Sequence, residues 1–159
     1  MKKVFVSLLV LAAVSFGMAQ SFTVGGIYQG DVAVTAEYGL PVESVGELLL
    51  GVSVVPFAWD TEVSVGARAL VLEMDGADLT TSLRVHVPVY DGEFFVLGQM
   101  AGSLMLDLVV PQEQNDFSLV ASAGVRAPLT YAGFTTLPDV VFGIGLRYQQ
   151  APLLPFGWW

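Results

Sequence analysis

The sequence predicts an all-β protein: an eight-stranded antiparallel up-and-down transmembrane β-barrel, preceded by a cleavable signal peptide. Three observations carry that expectation. The first nineteen residues are laid out as an export signal. The rest repeats runs of β-branched and aromatic residues alternating with small or polar ones. One face of those runs is apolar, the other is built from Gly, Ser, Thr and Arg, and no lysine follows Lys3.

At the start of the chain, Lys2 and Lys3 form a positive n-region and Val4–Phe16 an apolar h-region. Gly17-Met18-Ala19 places small residues at the −3 and −1 positions of a cleavage site. A membrane anchor is the alternative reading, but the run is shorter than the ~20 apolar residues of a bilayer span. The expected organisation is therefore a signal peptide over 1–19 and a single barrel domain over 20–159.

That domain is strongly apolar and acidic. The 159-residue chain is 54% hydrophobic and only 13% charged, against roughly 25% charged in an average protein. All acidic residues lie beyond the signal, where the cations are Arg68, Arg84, Arg126 and Arg147, with His86 the one histidine. A nucleic-acid partner needs a basic face and is excluded. Without cysteine there is no disulfide framework.

Eight strands are expected: Ser21–Gln29, Val32–Leu40, Gly46–Val55, Thr61–Glu73, Leu79–Tyr90, Glu93–Val109, Phe117–Tyr131 and Val140–Gln149. Short Gly, Pro and Asp clusters separate them, among them Gly30-Asp31, Asp75–Asp78 and Asp91-Gly92. In the fourth, Val63, Val65, Ala67, Ala69 and Val71 oppose Glu62, Ser64, Gly66 and Arg68. In the fifth, Leu83, Val85, Val87 and Val89 oppose Ser82, Arg84, His86 and Tyr90. In the seventh and eighth, Arg126 and Arg147 again share a face with Ser and Gly. The sixth is apolar on both faces around Met100, Leu104, Met105 and Leu106, which a β-bulge near Gly98 or Gly102 explains.

The placement of arginine decides which face is inside. A soluble barrel covers its exterior with Lys, Glu and Arg. A membrane barrel turns its apolar face to lipid and its polar face inward. The expected interior is thus a plugging charge network of Glu37, Glu62, Arg68, Arg84, His86, Arg126 and Arg147. Glu47 has the right parity but lies nearer a turn. Four odd-numbered strands end on an aromatic, Tyr28, Trp59, Tyr90 and Tyr131, and each connection then carries an acid. Odd strands of an up-and-down barrel end on one side, so these four form the expected interfacial girdle. Tyr38, Tyr148 and the tail Phe156-Gly157-Trp158-Trp159 serve the opposite interface.

Gly143-Ile144-Gly145-Leu146-Arg147-Tyr148 is similar to the glycine–hydrophobic–aromatic pattern by which barrel-assembly machinery recognises a last strand. Val141 stands where that pattern prefers a polar residue, and eleven residues follow Tyr148. With the eight alternating segments, the mature chain resembles the small eight-stranded outer-membrane barrels of the OmpA and OmpX kind. The resemblance is architectural. It implies an outer-membrane location, a periplasmic N-terminus, and membrane lipids and the outer-membrane assembly machinery as partners. Another envelope protein is a further partner to consider.

Little points to chemistry. His86 shares its face with Ser82 and Arg84, but catalysis needs base, nucleophile and orienting acid at an accessible surface. No metal pattern and no cofactor motif is present, and Gly143-x-Gly145 lies in a strand with no helix after it. The expectation is a non-enzymatic barrel with a structural role in the envelope. Two alternatives stand beside it: a barrel moving small solutes or apolar molecules, and a soluble exported ligand-binding barrel of the lipocalin kind.

Overall fold

The structure is a computed structural model. It describes residues 21–42, 46–56, 60–90, 93–94, 100–112, 116–129 and 138–149, with the backbone alone for Tyr90, Glu93 and Phe94. The expected signal peptide and the tail lie outside the described residues. Nine antiparallel strands follow in order: β1 Ser21–Tyr28, β2 Val32–Val42, β3 Gly46–Val54, β4 Thr61–Met74, β5 Ala77–Tyr90, β6 Glu93–Phe94, β7 Ala101–Pro111, β8 Phe117–Pro128 and β9 Asp139–Gln149. Each pairs with its sequence neighbour, except that β6 and β7 both pair with β5, and β1 pairs with β9. The sheet closes on itself as an eight-stranded barrel.

The register fixes its dimensions. From Ser118, direct pairing runs through Arg147, Thr23, Glu37, Gly51, Ser64, His86 and Ala101, and returns to β8 at Pro128, ten residues further along. A shear of ten over eight strands, with ~3.3 Å per residue and ~4.8 Å between strands, corresponds to a strand tilt of about 40°. Eleven residues at that tilt stand roughly 28 Å tall. One end of the barrel holds Ser21 and Gln149 (the terminal end). The other holds the Gln29–Asp31 connection (the loop end).

Three expectations about the strands are corrected. The sixth is not continuous from Glu93 to Val109: β6 is two residues long, and β7 begins at Ala101. The break Asp75–Asp78 is shorter, because Asp-Gly is a strong two-residue hairpin signal. Asp75-Gly76 alone makes the turn, with Gly76 at φ 84°. Of the two bulge positions expected, the structure describes only Gly102, and there is none there. Gly102 pairs with Val85 in unbroken register, whereas the β4–β5 ladder shifts between Leu70 and Leu72, leaving Val71 extra. Gly98 is outside the described residues. Beyond Val71 the faces of β4 exchange, so Leu70, Val71 and Leu72 are all about half exposed. The seventh predicted strand stops at Pro128, and Tyr131 is outside the described residues.

Alternation then sorts the side chains. Outward positions read Val24, Tyr28, Val34, Leu48, Leu50, Val65, Leu83, Leu104, Leu106, Leu119, Val125, Phe142, Ile144 and Leu146 around the wall, all exposed. No outward position of the paired strands up to the bulge carries a charge. Inward positions hold the arginines and their carboxylates together with buried Leu49, Met105, Val109, Val120 and Val141. Large inward side chains lie over glycines of the neighbouring strand. A Cβ on Gly66 would stand 2.9 Å from Arg84 Cγ and 2.3 Å from the Leu83 carbonyl oxygen, and one on Gly124 would stand 2.6 Å from Met105 Sδ.

This packing separates two glycines on the same inner wall. Gly66→Val forces the neighbouring strand and Arg84 aside, and is expected to lower unfolding stability in urea by about 1–3 kcal/mol. Gly143→Ala meets nothing nearer than 3.4 Å, and is expected to stay within about 0.5 kcal/mol of the parent.

Candidate functional site: the charged interior

The inward charges form two groups. Toward the terminal end, Arg68 on β4 is the hub. Its guanidinium nitrogens lie 2.5 Å from Glu37 on β2, 3.0 Å from Glu47 on β3 and 3.5 Å from Asp107 on β7. Arg84 on β5 adds contacts of 2.7 Å to Glu37 and 3.9 Å to Asp107. Arg147 on β9 reaches Glu47 at 2.6 Å. Three arginines thus face three carboxylates, drawn from six strands. Such a set holds because its charges balance. A buried charge without a partner is among the most costly features a fold can carry.

Toward the loop end, Arg126 on β8 forks onto Glu62 on β4, its two terminal nitrogens donating at 2.5 and 2.9 Å. It also donates to Gln29 Oε1 at 2.5 Å, and Ser53 donates to Glu62 at 3.5 Å. The planar guanidinium matches a carboxylate in this bidentate geometry, which a lysine cannot reproduce. His86 stands beside this group, with Nδ1 3.9 Å from Glu62 Oε2 and Nε2 2.7 Å from Ser103 Oγ.

Between the two groups the wall is thin. Gly25, Gly51, Gly143 and Gly145, with Thr35 and Ser122, line a cavity of about 80 Å³, room for roughly five waters. Gln29, Ser53, Asp60 and Glu62 border a second recess of about 130 Å³ at the loop end.

The structure points all seven residues of the expected interior network inward, and five of them, Glu37, Glu62, Arg68, Arg84 and Arg126, are charged partners of one another. Two further carboxylates join them, Glu47, whose parity already allowed it, and Asp107, which is not in the expected network. Glu47 is a full member despite its position near the terminal end, because the register of the β3–β4 ladder pairs it directly with Arg68. Asp107, 1% exposed, was hidden in the apolar stretch of β7. Counting by twos from Ser103 through Met105 finds it. Ser82, which shares the inward face of β5 with His86, donates to Asp107 at 3.4 Å, and the hydroxyl beside His86 is that of Ser103.

Glu62, His86 and Ser103 stand in the order of a charge-relay set. Ser103 is nonetheless buried, opposite Arg84 in the β5–β7 ladder and absent from the cavity lining. Backbone N–H groups near it are engaged in sheet pairing, and acyl transfer needs free donors at a developing oxyanion. Among the described residues, no three His, Cys, Asp or Glu side chains converge as a metal site requires.

Of the expected girdle, Tyr28 points outward and is 53% exposed. Tyr90 is described only in its backbone, and Trp59 and Tyr131 lie outside the described residues. Tyr28 pairs across the β1–β9 ladder with the outward, exposed Phe142, and four other described aromatics stand toward the terminal end. Phe117 pairs with Tyr148, Tyr148 with Phe22, and Phe22 with Tyr38, all outward. Ring centroids are 5.2 Å apart for Phe117 and Tyr148, and 4.9 Å for Phe22 and Tyr38. Sequence reading noted Tyr38 and Tyr148 but not the two phenylalanines, which line up only through the register.

Searches of family models, curated proteins and solved structures return no match to this chain.

Arg68→Met leaves Glu37, Glu47 and Asp107 short of a cation, and is expected to cost about 3–5 kcal/mol of unfolding stability. Arg68→Lys is expected to recover only part of that, since one ammonium cannot fork to Glu37 and Glu47 together. Equilibrium unfolding of both variants in urea checks this. Equal stability of Arg68→Met and the parent contradicts it.

Proposed function

We propose that the protein is an integral outer-membrane β-barrel with a structural role in the cell envelope, non-enzymatic, its lumen plugged by Arg and carboxylate side chains. One observation carries the reading. The outward face is apolar around the whole circumference and uncharged, while the charges of the wall point inward. In water this inverts the normal distribution. In lipid it is what partitioning requires. The wall height of roughly 28 Å matches an apolar band of about 25 Å, and closure through β1 and β9 pairs backbone groups that hydrocarbon cannot satisfy.

The same features rank the alternatives. A lipocalin-like soluble barrel needs an apolar interior, and this interior is crossed by ion pairs from wall to wall. A transport barrel needs a path. The interior here is interrupted at both levels, by Arg68 with its carboxylates and by Arg126 with Glu62. An envelope anchor needs no more than the barrel itself. Export by the signal peptide, assembly by the outer-membrane machinery and contact with membrane lipids complete the proposal.

Fractionation tests it directly. The protein is expected in the membrane fraction, with a gel mobility that shifts on boiling, and without porin-sized conductance in planar bilayers. Recovery in the soluble fraction without a shift overturns the membrane reading. Stable large conductance overturns the plugged lumen.

A single outward charge gives a second test. Leu83, midway along β5, is 62% exposed. Leu83→Arg is expected to cost about 2–4 kcal/mol of folding stability in lipid. On a water-facing wall the same change stays within about 0.5 kcal/mol.

A further inference from the structure

At Gly66 and Gly124 a neighbouring strand leaves no room for a Cβ. Gly143 is different. It sits on the inner face of β9, and an added Cβ there meets nothing nearer than 3.4 Å. The space it leaves belongs to the cavity of about 80 Å³ between the two charge groups. Two lining residues carry atoms without a partner among the described residues. Asp107, 1% exposed, has no hydrogen bond at Oδ1, and buried His86 has none at Nδ1. A buried polar atom left dry is costly. An apolar cavity of this size stays dry, but a wall with a carboxylate, an imidazole and the hydroxyls of Ser64 and Ser122 offers water the two to four polar partners it needs.

The two ends of this cavity differ. The recess of about 130 Å³ at the loop end shares Gln29 and Ser53 with it, so the two spaces meet at these side chains. Glu62, held by Arg126, borders the recess on the same side. Toward the terminal end the lining stops at Arg68. Ser21, Val109, Ser118 and Arg147, nearer that end, are all buried, and none of them lines the cavity.

We propose that the interior is a blind aqueous well, a binding site for about five waters, entered from the loop end between Gln29 and Ser53 and closed at the terminal end. Water in the well satisfies Asp107 Oδ1 and His86 Nδ1. Arg68 and Arg84 balance Glu37 and Asp107 on its wall, so the occupant is neutral, and the volume admits nothing much larger than a few waters. The inference refines the plugged lumen: the ion pairs stop passage from end to end, and solvent reaches the hub from one side alone.

The cysteine-free chain allows a direct test with single cysteines and methyl methanethiosulfonate, a small neutral thiol reagent. Ser122→Cys and Thr35→Cys, both in the lining, are expected to react in the folded protein at least tenfold faster than Ser82→Cys. Ser82 stands opposite Arg68, 1% exposed and outside the lining. Ser53→Trp, across the entrance, is expected to slow Ser122→Cys at least tenfold. Gly143→Leu, which fills the space, is expected to do the same. Pro41→Trp, at the terminal mouth, leaves the rate unchanged. Reaction of Ser122→Cys and Thr35→Cys no faster than Ser82→Cys means a dry interior and overturns the well. Equal slowing by Ser53→Trp and Pro41→Trp means a path open at both ends, and slowing by neither puts the entrance elsewhere; each overturns the proposal. Should Ser53→Trp fail to fold, Gln29→Trp places the same ring at the same entrance. Labelling is read in detergent or in plain buffer, so the well and the membrane reading can fail separately.

Discussion

Everything in this molecule depends on the pairing of the first strand with the last. Ser21–Tyr28 and Phe142–Gln149 share eight antiparallel positions, and that seam turns a sheet into a wall with two distinct sides. Before closure there is no interior in which an arginine can be enclosed and no exterior free of polar edges. After it, period-two alternation assigns every side chain to one side; the β3–β4 register sets Glu47 opposite Arg68, and Glu37 lies within the same guanidinium's reach.

The interior then has to be filled. A barrel of eight strands leaves just enough space for side chains to meet across it, and this one fills the space unevenly. Long arginines extend from the middle of β4 and β5 and from near the ends of β8 and β9, and a glycine on an adjacent strand makes room, as Gly66 does for Arg84. Because the guanidinium of Arg68 touches three carboxylates on three strands, the wall is cross-braced through its centre as well as laced around its circumference. Net neutrality of each charge group is what makes such bracing tolerable in a confined space.

Much of this was legible from residue order, for a physical reason. In a wall with one wet and one apolar side, parity is forced, so Arg68, Arg84, Arg126 and Arg147 could each be placed inside by counting twos. The signal fails where both faces are apolar. Leu70-Val71-Leu72 reads the same in either register, so the extra residue there leaves no trace in the pattern. Asp107 was overlooked because Met105 and Val109 flank it on its own face. The pairing of Phe22 and Phe117 into a row was not readable at all: each sits near the start of its strand, and only the register places them side by side. The partners Ser103 for His86 and Asp107 for Ser82 likewise depend on which strands are neighbours across β5 and β7.

The distribution of charges over the strands has a consequence for how the chain reaches this state. Glu47 sits on the third strand and its partner Arg147 on the last. Arg126 and Glu62 are likewise separated by half the wall. No early hairpin contains both members of either pair. The strands before the last already carry Arg68 and Arg84 against Glu37, Glu47 and Asp107, and Arg126 against Glu62, so what β9 adds is the one cation, Arg147, that balances the remaining carboxylate charge. The last strand thus brings the final cation together with the final paired edge, and the charge group toward the terminal end becomes neutral only when the wall closes.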